Sequence, residues 1–292
     1  MADAASSPGQ RAVDRLVALL DLDRIEDDIF RGVSPPESPV RVFGGQVAGQ
    51  ALVAAGRTVP PERGVHSLHA YFIRAGDPRV PIVYEVDRLR DGRSFTTRRV
   101  VAIQHGEAIF SLAASFQLPE QGLDHADVMP EVAAPEQLDD LQTWARRAGD
   151  ARPLLTRIPL PFDLRYATPP VWGAARDDAR YERHQRLWLR ADGVLPDDPL
   201  VHLCVLAYAS DLTLLWSAIA GHDHELNQNL MAASLDHAMW FHRPFRADEW
   251  VLYDCTSPSA AGGRGLATGR FFSRDGRLIA SVVQEGLIRI LG

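Results

Sequence analysis

Asp211, Ser234 and Gln284 are polar residues set into apolar surroundings, and between them they carry the groups needed to hold one water and take its proton. Asp211 sits in YASDLTLLW, where a helix gives it Cys204, Ala207, Tyr208, Leu214, Leu215 and Ala218 as neighbours three, four and seven residues away. A carboxylate buried there is costly unless it is hydrogen-bonded. Gln284, in SVVQEG, shares a strand face with Leu278, Ala280, Val282 and Ile288. Ser234 opens SLDHAMWFHRPF. Alternation puts Ser234, Asp236, Ala238, Trp240 and His242 on one face and Leu235, Met239, Phe241 and Phe245 on the other. The apolar face is expected against a helix, with Ser234 and its neighbours toward the site. In such a set the carboxylate accepts the water's proton while hydroxyl and amide fix its orientation. The same three groups could also bond one another to settle their own burial, and the residues alone leave both readings open.

These positions stand out because the second half of the chain repeats the first. A shift of 169 places Tyr71, Phe72 and Arg74 over Trp240, Phe241 and Arg243. A shift of 170 places GEAIFSLAASFQ over DGRLIASVVQEG. Under these shifts Gln284 falls on Ala114 and Ser234 on about Val65, so one copy offers polar groups where the other is small or apolar.

The elements that must position them form a helix and an antiparallel meander in each half. The first half has an amphipathic helix from residue 11, a Gly-started helix through FGGQVAGQALVAAGRTV and strands near 65–73, 81–88, 94–103 and 107–117. The second has one long buried helix over 199–220, capped by Asp198 with Pro199 in its first turn, and strands near 232–243, 249–257, 264–273 and 277–290. A surface helix is expected at PEQLDDLQTWARRAG, and 150–198 reads as irregular. The fold class is α+β, with two antiparallel sheets each wrapped round a central helix, side by side as one pseudo-dimeric unit. Three regions follow: an N-terminal repeat at 11–118, a connector at 119–197 and a C-terminal repeat at 198–292 that carries the three polar residues.

Composition narrows the function. With 292 residues, 46% hydrophobic, the chain can bury a full core, and a net charge of -7 argues against nucleic acid as a partner. All 31 basic residues are Arg, which removes a Schiff-base or P-loop lysine. Cys204 and Cys255 have no metal-ligand spacing and are expected as buried thiols. With no signal segment or apolar run near 18 residues, the expectation is a soluble cytoplasmic protein without membrane insertion. GGRGLATG (262–269) lacks the helix that a dinucleotide loop needs. GHDHE (221–225) has no second ligand cluster, so no metal is expected. His66, His69, His237 and His242 are expected in structural hydrogen bonds, and no G-x-S-x-G occurs.

FGGQVAGQAL, VHSLHAYFIRAGD, LRDGRSFTTRRV, YASDL, SLDHAMWFHRPF and SVVQEGLIR, in that order, resemble the acyl-CoA thioesterase II family, whose fold is a double hotdog; the resemblance spans about residues 11–290. It implies hydrolysis of acyl-CoA thioesters to free fatty acid and CoA, with no cofactor and no covalent intermediate. The family's Asp, Thr and Gln fall on Asp211, Ser234 and Gln284; Ser for Thr keeps the hydroxyl and loses the methyl that locks its rotamer. The oxyanion is then expected at backbone amides near Gly44 and Gly45, and the CoA phosphates at Arg93, Arg99 or Arg264, with Arg88, Arg90, Arg98 and Arg270 as further candidates. A homodimer or homotetramer is expected, since Trp240, Trp250, Phe271 and Phe272 exceed what one helix covers. The rivals are a hotdog hydratase, which needs a His after the helix Asp that YASDLTLLW lacks, and a non-catalytic acyl-CoA binding module.

Overall fold

A computed structural model of the chain describes residues 7–149 apart from 37 and 39, then 160–172, 184–220, 222 and 230–291. Helix α1 spans Pro8–Leu20. Ser7 caps it by accepting from the Gln10 amide at 3.0 Å, and Val13, Leu16 and Leu20 form its buried stripe. Helix α2 spans Gly44–Gly56 and helix α4 spans Pro199–Ser210. These two lie antiparallel in the middle of the molecule, buried on nearly every side. Glycine permits the contact: a Cβ on Gly45 would stand 2.3 Å from the Tyr208 carbonyl oxygen, and one on Gly49 3.2 Å from that of Cys204. The backbones therefore meet almost directly. Between them in sequence, α3 covers Leu141–Ala148, in the expected surface-helix segment.

The strands are β1 (Asp23–Glu26), β2 (Ile29–Gly32), β3 (Gly64–Phe72), β4 (Ile82–Asp91), β5 (Phe95–Gln104), β6 (Glu107–Gln117), β7 (Phe162–Tyr166), β8 (His184–Ala191), β9 (Leu230–Ser234), β10 (Asp236–Phe241), β11 (Val251–Ala261), β12 (Arg264–Ser273) and β13 (Leu278–Ile290). They make one antiparallel sheet in the order β1-β2-β4-β5-β6-β3-β10-β13-β12-β11-β8-β7, with β9 paired to β13. Read from the centre outward, the two halves mirror one another. The expected pair of sheets is thus continuous: β3 and β10 join it, with Tyr71 opposite Asp236 and Leu68 opposite Met239. Each half curls round its own helix, and the core lies between sheet and helices.

Three expectations change. The stretch 150–198 is not irregular throughout, because β8 pairs onto β11 and β7 onto β8, completing the second half's edge. The long helix over 199–220 ends at Ser210; after turns it resumes only as the short α5, Trp216–Ile219. Apolar composition on all sides predicted burial correctly but carried no information on where the helix stops. Third, Trp250, Phe271 and Phe272 are buried inside the chain and only Trp240 is half-buried. The connector does part of this: Met129, Val132 and Leu138 pack on Trp188, Trp250, Leu252 and Phe272, and Trp188 Nε1 donates to the Ala133 carbonyl at 3.0 Å.

Candidate active site

Asp211 is the C-cap of α4, and its carboxylate emerges where that helix ends against the N-terminus of α2. The Gly45 amide faces it closely enough to lower its pKa. Gly44 is needed beside it, since a Cβ there would sit 2.6 Å from Asp211 Oδ2 and 2.8 Å from the Phe72 ring. A first-turn amide and the positive end of the α2 dipole thus face a carboxylate from the other half, an arrangement that favours its ionised form.

Ser234 ends β9, and a bulge decides where it points. From Ser234 opposite Gly286 to Ala238 opposite Val283, one strand takes four steps and its partner three. The extra residue lies around Leu235, whose amide donates to the Glu285 carbonyl and whose carbonyl accepts from Phe72. Asp236 Oδ1 accepts from the Glu285 amide at 2.7 Å and so ties the bulge down. The dislocation breaks the simple alternation. Ser234 turns to the helix side with His237, Met239 and Phe241, while Asp236, Ala238 and Trp240 do not join the site. The expectation that Ser234 shares its face with Asp236, Ala238 and Trp240 is corrected.

Gln284, on β13 and fully buried, completes the group. Its Nε2 donates to Asp211 Oδ1 at 2.8 Å and to Ser234 Oγ at 2.6 Å, and the Ser234 hydroxyl donates to the same Asp211 oxygen at 3.0 Å. Burial pushes the Asp211 carboxyl up to about 6, against the lowering effect of Gln284, Ser234 and the Gly45 amide. A carboxylate poised there is ionised at neutral pH yet basic enough to accept a proton, the balance a general base needs. Tyr208, one turn earlier on α4, is pushed up to about 12, mainly by burial and further by the Asp211 charge.

The other expected residues are not gathered here. Arg99 is exposed and paired with Asp87 at 2.6 Å, and Arg264 is exposed and paired with Glu285 at 2.9 Å. Arg93 lies in the β4–β5 turn, where its carbonyl accepts from Arg63. Arg88 pairs with Asp28, and Arg270 bridges Asp127 and Asp254. Arg98 is 1% exposed and bonded to Thr58, Asp91 and the Arg90 and Thr97 carbonyls, so it clasps the β4–β5 hairpin. Of GHDHE only His222 is within the described residues, and among those residues no group of three or more His, Cys, Asp or Glu could hold a metal ion. A cleft of about 600 Å³ between α1 and the first turn of α4 includes Asp198 and Leu200, at the opposite end of α4 from Asp211.

Sequence reasoning treated the histidines as structural, and His66 and His242 do bond Ser115 and Ser281. His237 is different in place: it is 1% exposed, and its Nε2 lies 2.8 Å from the hydroxyl of Ser210, the neighbour of Asp211. The signal was available, because the 169 shift sets His237 on Leu68, a further position polar in one copy only.

Comparison with known proteins agrees with this architecture. The family profile described as acyl-CoA thioesterase matches residues 165–287, and that described as acyl-CoA thioesterase N-terminal domain matches residues 34–117. Human acyl-coenzyme A thioesterase 8 is 41% identical over 300 residues, covering 99% of this chain and 93% of that protein. The crystal structure of an acyl-CoA thioesterase II from Mycobacterium marinum is 47% identical with a TM-score of 0.79, covering 94% of this chain and 98% of that one. A protein with a hot dog fold from Alicyclobacillus acidocaldarius, 19% identical, superposes with a TM-score of 0.75 over 95% of this chain and 99% of its own, a likeness of fold alone. With a double hotdog sheet, both halves matched in order and relatives above 40% identity along nearly the whole chain, this protein belongs to the acyl-CoA thioesterase family.

Proposed function

We propose that Asp211 is the general base of a single-displacement hydrolysis, in which it takes a proton from a water that Ser234 and Gln284 orient toward a thioester carbonyl. The overall reaction, acyl-CoA and water to fatty acid and CoA, is that of the family to which the chain belongs. The observation that carries the residue roles is the closed triangle of Asp211, Ser234 and Gln284, every edge 3.0 Å or less, around a carboxyl raised to about 6.

The steps follow from the groups. Water oxygen attacks the carbonyl carbon as its proton passes to Asp211; the tetrahedral intermediate collapses, the carbon–sulfur bond breaks, and the proton goes to the departing thiolate. A thiolate is a good leaving group, so this last transfer asks little of the acid. The first turn of α2 at Gly44 and Gly45 lies against the carboxylate, and its amides are our candidates for the oxyanion, with Gly45 also facing Asp211. For the CoA phosphates Arg93, Arg99 and Arg264 remain candidates, though ion pairs to Asp87 and Glu285 weaken the case for the last two. We assign catalysis to the C-terminal repeat, 198–292, and a supporting role to 11–118, joined by 119–197.

Among the described residues no helix is long and apolar enough to cross a membrane, and we propose a cytoplasmic location. We also propose a homodimer or homotetramer. The support is the outer face of the central strands, where Tyr71 is 65% exposed and Trp240 half-buried further along the same seam, with Ile73 47% exposed just past the end of β3. Light scattering giving 32.2 kDa would rule this out. Release of free thiol from acyl-CoA esters of increasing chain length tests the reaction itself: turnover with a defined chain-length optimum is expected, and binding without release makes the protein a non-catalytic acyl-CoA module.

A further inference from the structure

The amide of Gln284 has two ends, and the site described above uses one. Its Nε2 serves Asp211 and Ser234, while its buried Oε1 makes no standard hydrogen bond; the same is true of the buried Nδ1 of His237. These two atoms belong to facing residues. On β10 and β13, Ala238 stands opposite Val283, which sets His237 at the next position opposite Gln284. The first half repeats the geometry with apolar groups, for Leu68, the counterpart of His237, directly faces Ala114, the counterpart of Gln284. Side chains on facing positions of one sheet surface have Cβ atoms about 5 Å apart. Both residues point to the helix side, at 1% and 0% exposure.

Proton counting then decides which ring nitrogen carries hydrogen. Burial pushes the imidazole down to about 4, so it is neutral and holds one N–H. If Nε2 held it, the Nδ1 lone pair would face the Gln284 carbonyl oxygen, acceptor against acceptor. If Nδ1 holds it, the proton faces Oε1, and Nε2 accepts at 2.8 Å from the Ser210 hydroxyl, which then gives up its bond to the Ala207 carbonyl. Only the second arrangement gives Nδ1 and Oε1 complementary roles; the first keeps the Ser210–Ala207 bond but sets two buried acceptors face to face.

We propose that His237 is a positioning residue, protonated on Nδ1, that holds the Gln284 carbonyl and thereby keeps the amide nitrogen turned toward Asp211 and Ser234. Its catalytic consequence rests on the water-activating reading of Asp211. Freed from the imidazole, the amide can rotate and set its carbonyl against the carboxylate and the Ser234 hydroxyl oxygen. Ser234 then loses the donor that fixes its own orientation. The chain of bonds starts and ends at the same helix terminus, from Ser210 through His237 and Gln284 to Asp211, and the Tyr253 hydroxyl anchors that terminus by donating to the Ser210 carbonyl at 2.9 Å.

The test has an arm that is read on the wild-type protein. In protein carrying 15N-labelled histidine, the His237 resonances, assigned by their loss in His237→Asn, should show a protonated Nδ1 and a bare Nε2 at pH 7. The opposite tautomer overturns the proposal, whatever the role of Asp211. The second arm is kinetic. An Asn side chain places an N–H near where Nδ1 stands, whereas Leu, the residue of the first copy, has none. His237→Leu should lower kcat on the order of 10- to 10²-fold with little change in KM, the scale of a misplaced catalytic group, and His237→Asn should recover most of it. Equal losses in the two variants, or loss in neither, would also overturn it. A wild-type Nδ1–H tautomer together with full turnover in Asp211→Asn would instead retire the water-activating reading and leave the positioning bond intact.

Discussion

The two halves of this chain bury polar side chains to different ends. In the first, Gln50 donates to the Leu19 and Val33 carbonyls and accepts from the Tyr84 hydroxyl, and Gln46 donates to the Val33 carbonyl and to Ser34. These bonds pin α2 to α1 and to the end of β2. In the second, Asp211, Ser234 and Gln284 bond one another at the meeting of helix and bulge. The sheet positions repeat almost residue for residue. Val65 faces Phe116 and Leu68 faces Ala114 in the first half, where the second has Ser234 facing Gly286 and His237 beside Gln284. Even the bulge recurs, between Val65 and Ser67. One backbone thus supports a packed wall in one copy and a polar site in the other. Gly286 helps to create the difference: a Cβ there would lie 2.4 Å from a Leu215 methyl, so its absence lets the turn after Asp211 settle on the sheet.

Removing the charge should break the contrast most severely. Asp211→Asn keeps shape and volume, and kcat is expected to fall on the order of 10² to 10⁴, the range for a general base, with the fold retained by circular dichroism. A folded variant that turns over normally would make the carboxylate a structural group like Gln50.

Titration sharpens the same comparison. With a carboxyl pushed up from 3.8 to about 6, kcat/KM should fall roughly tenfold per pH unit below about 6. Stability runs the other way. The folded value lies above the unfolded one, so the contribution of this group is fully present below pH 3.8 and is lost as pH rises through about 6. Above that, the buried carboxylate costs on the order of 1–3 kcal/mol. Melting temperatures from pH 4 to 8 should therefore show a dependence that Asp211→Asn lacks; identical profiles would place the group outside this role.

Ser234→Ala, a step toward Val65 of the first copy, should cost about 10-fold in kcat if the hydroxyl orients water, whereas Ser234→Thr should match or exceed the natural enzyme. Equal rates for Ser, Thr and Ala would remove the hydroxyl from the site. The reverse change has the smallest effect on rate. Ala114→Gln puts an amide into the first half without partners, and should lower stability by about 1–3 kcal/mol while leaving thiol release unchanged in protein that remains folded.

Much of this was legible in the sequence because it was local. Apolar alternation located the strands of both meanders to within a few residues, Asp198 and Pro199 marked the start of α4, and the internal repeat picked out Ala114 against Gln284 and Val65 against Ser234. Those signals need only neighbours in the chain, or a second copy to compare with. His237 over Leu68 was written there too.

What the tertiary structure decided lies where one segment meets another. A period of two cannot show that Ser234 turns inward, because the bulge around Leu235 is a mismatch of count between two strands, four steps against three. A mostly apolar run cannot show that α4 stops at Ser210, since buried positions continue on both sides of that point. Nor can local pattern supply the partner of Asp211 from the other half, the Gly45 amide, which reaches the carboxylate only because Gly44 and Gly45 let two helices meet without a Cβ between them. The residue types were set by the sequence; their convergence on one carboxylate required the packing of the two halves, because hydrogen bonds of 2.6–3.0 Å tolerate little error in where the backbones lie.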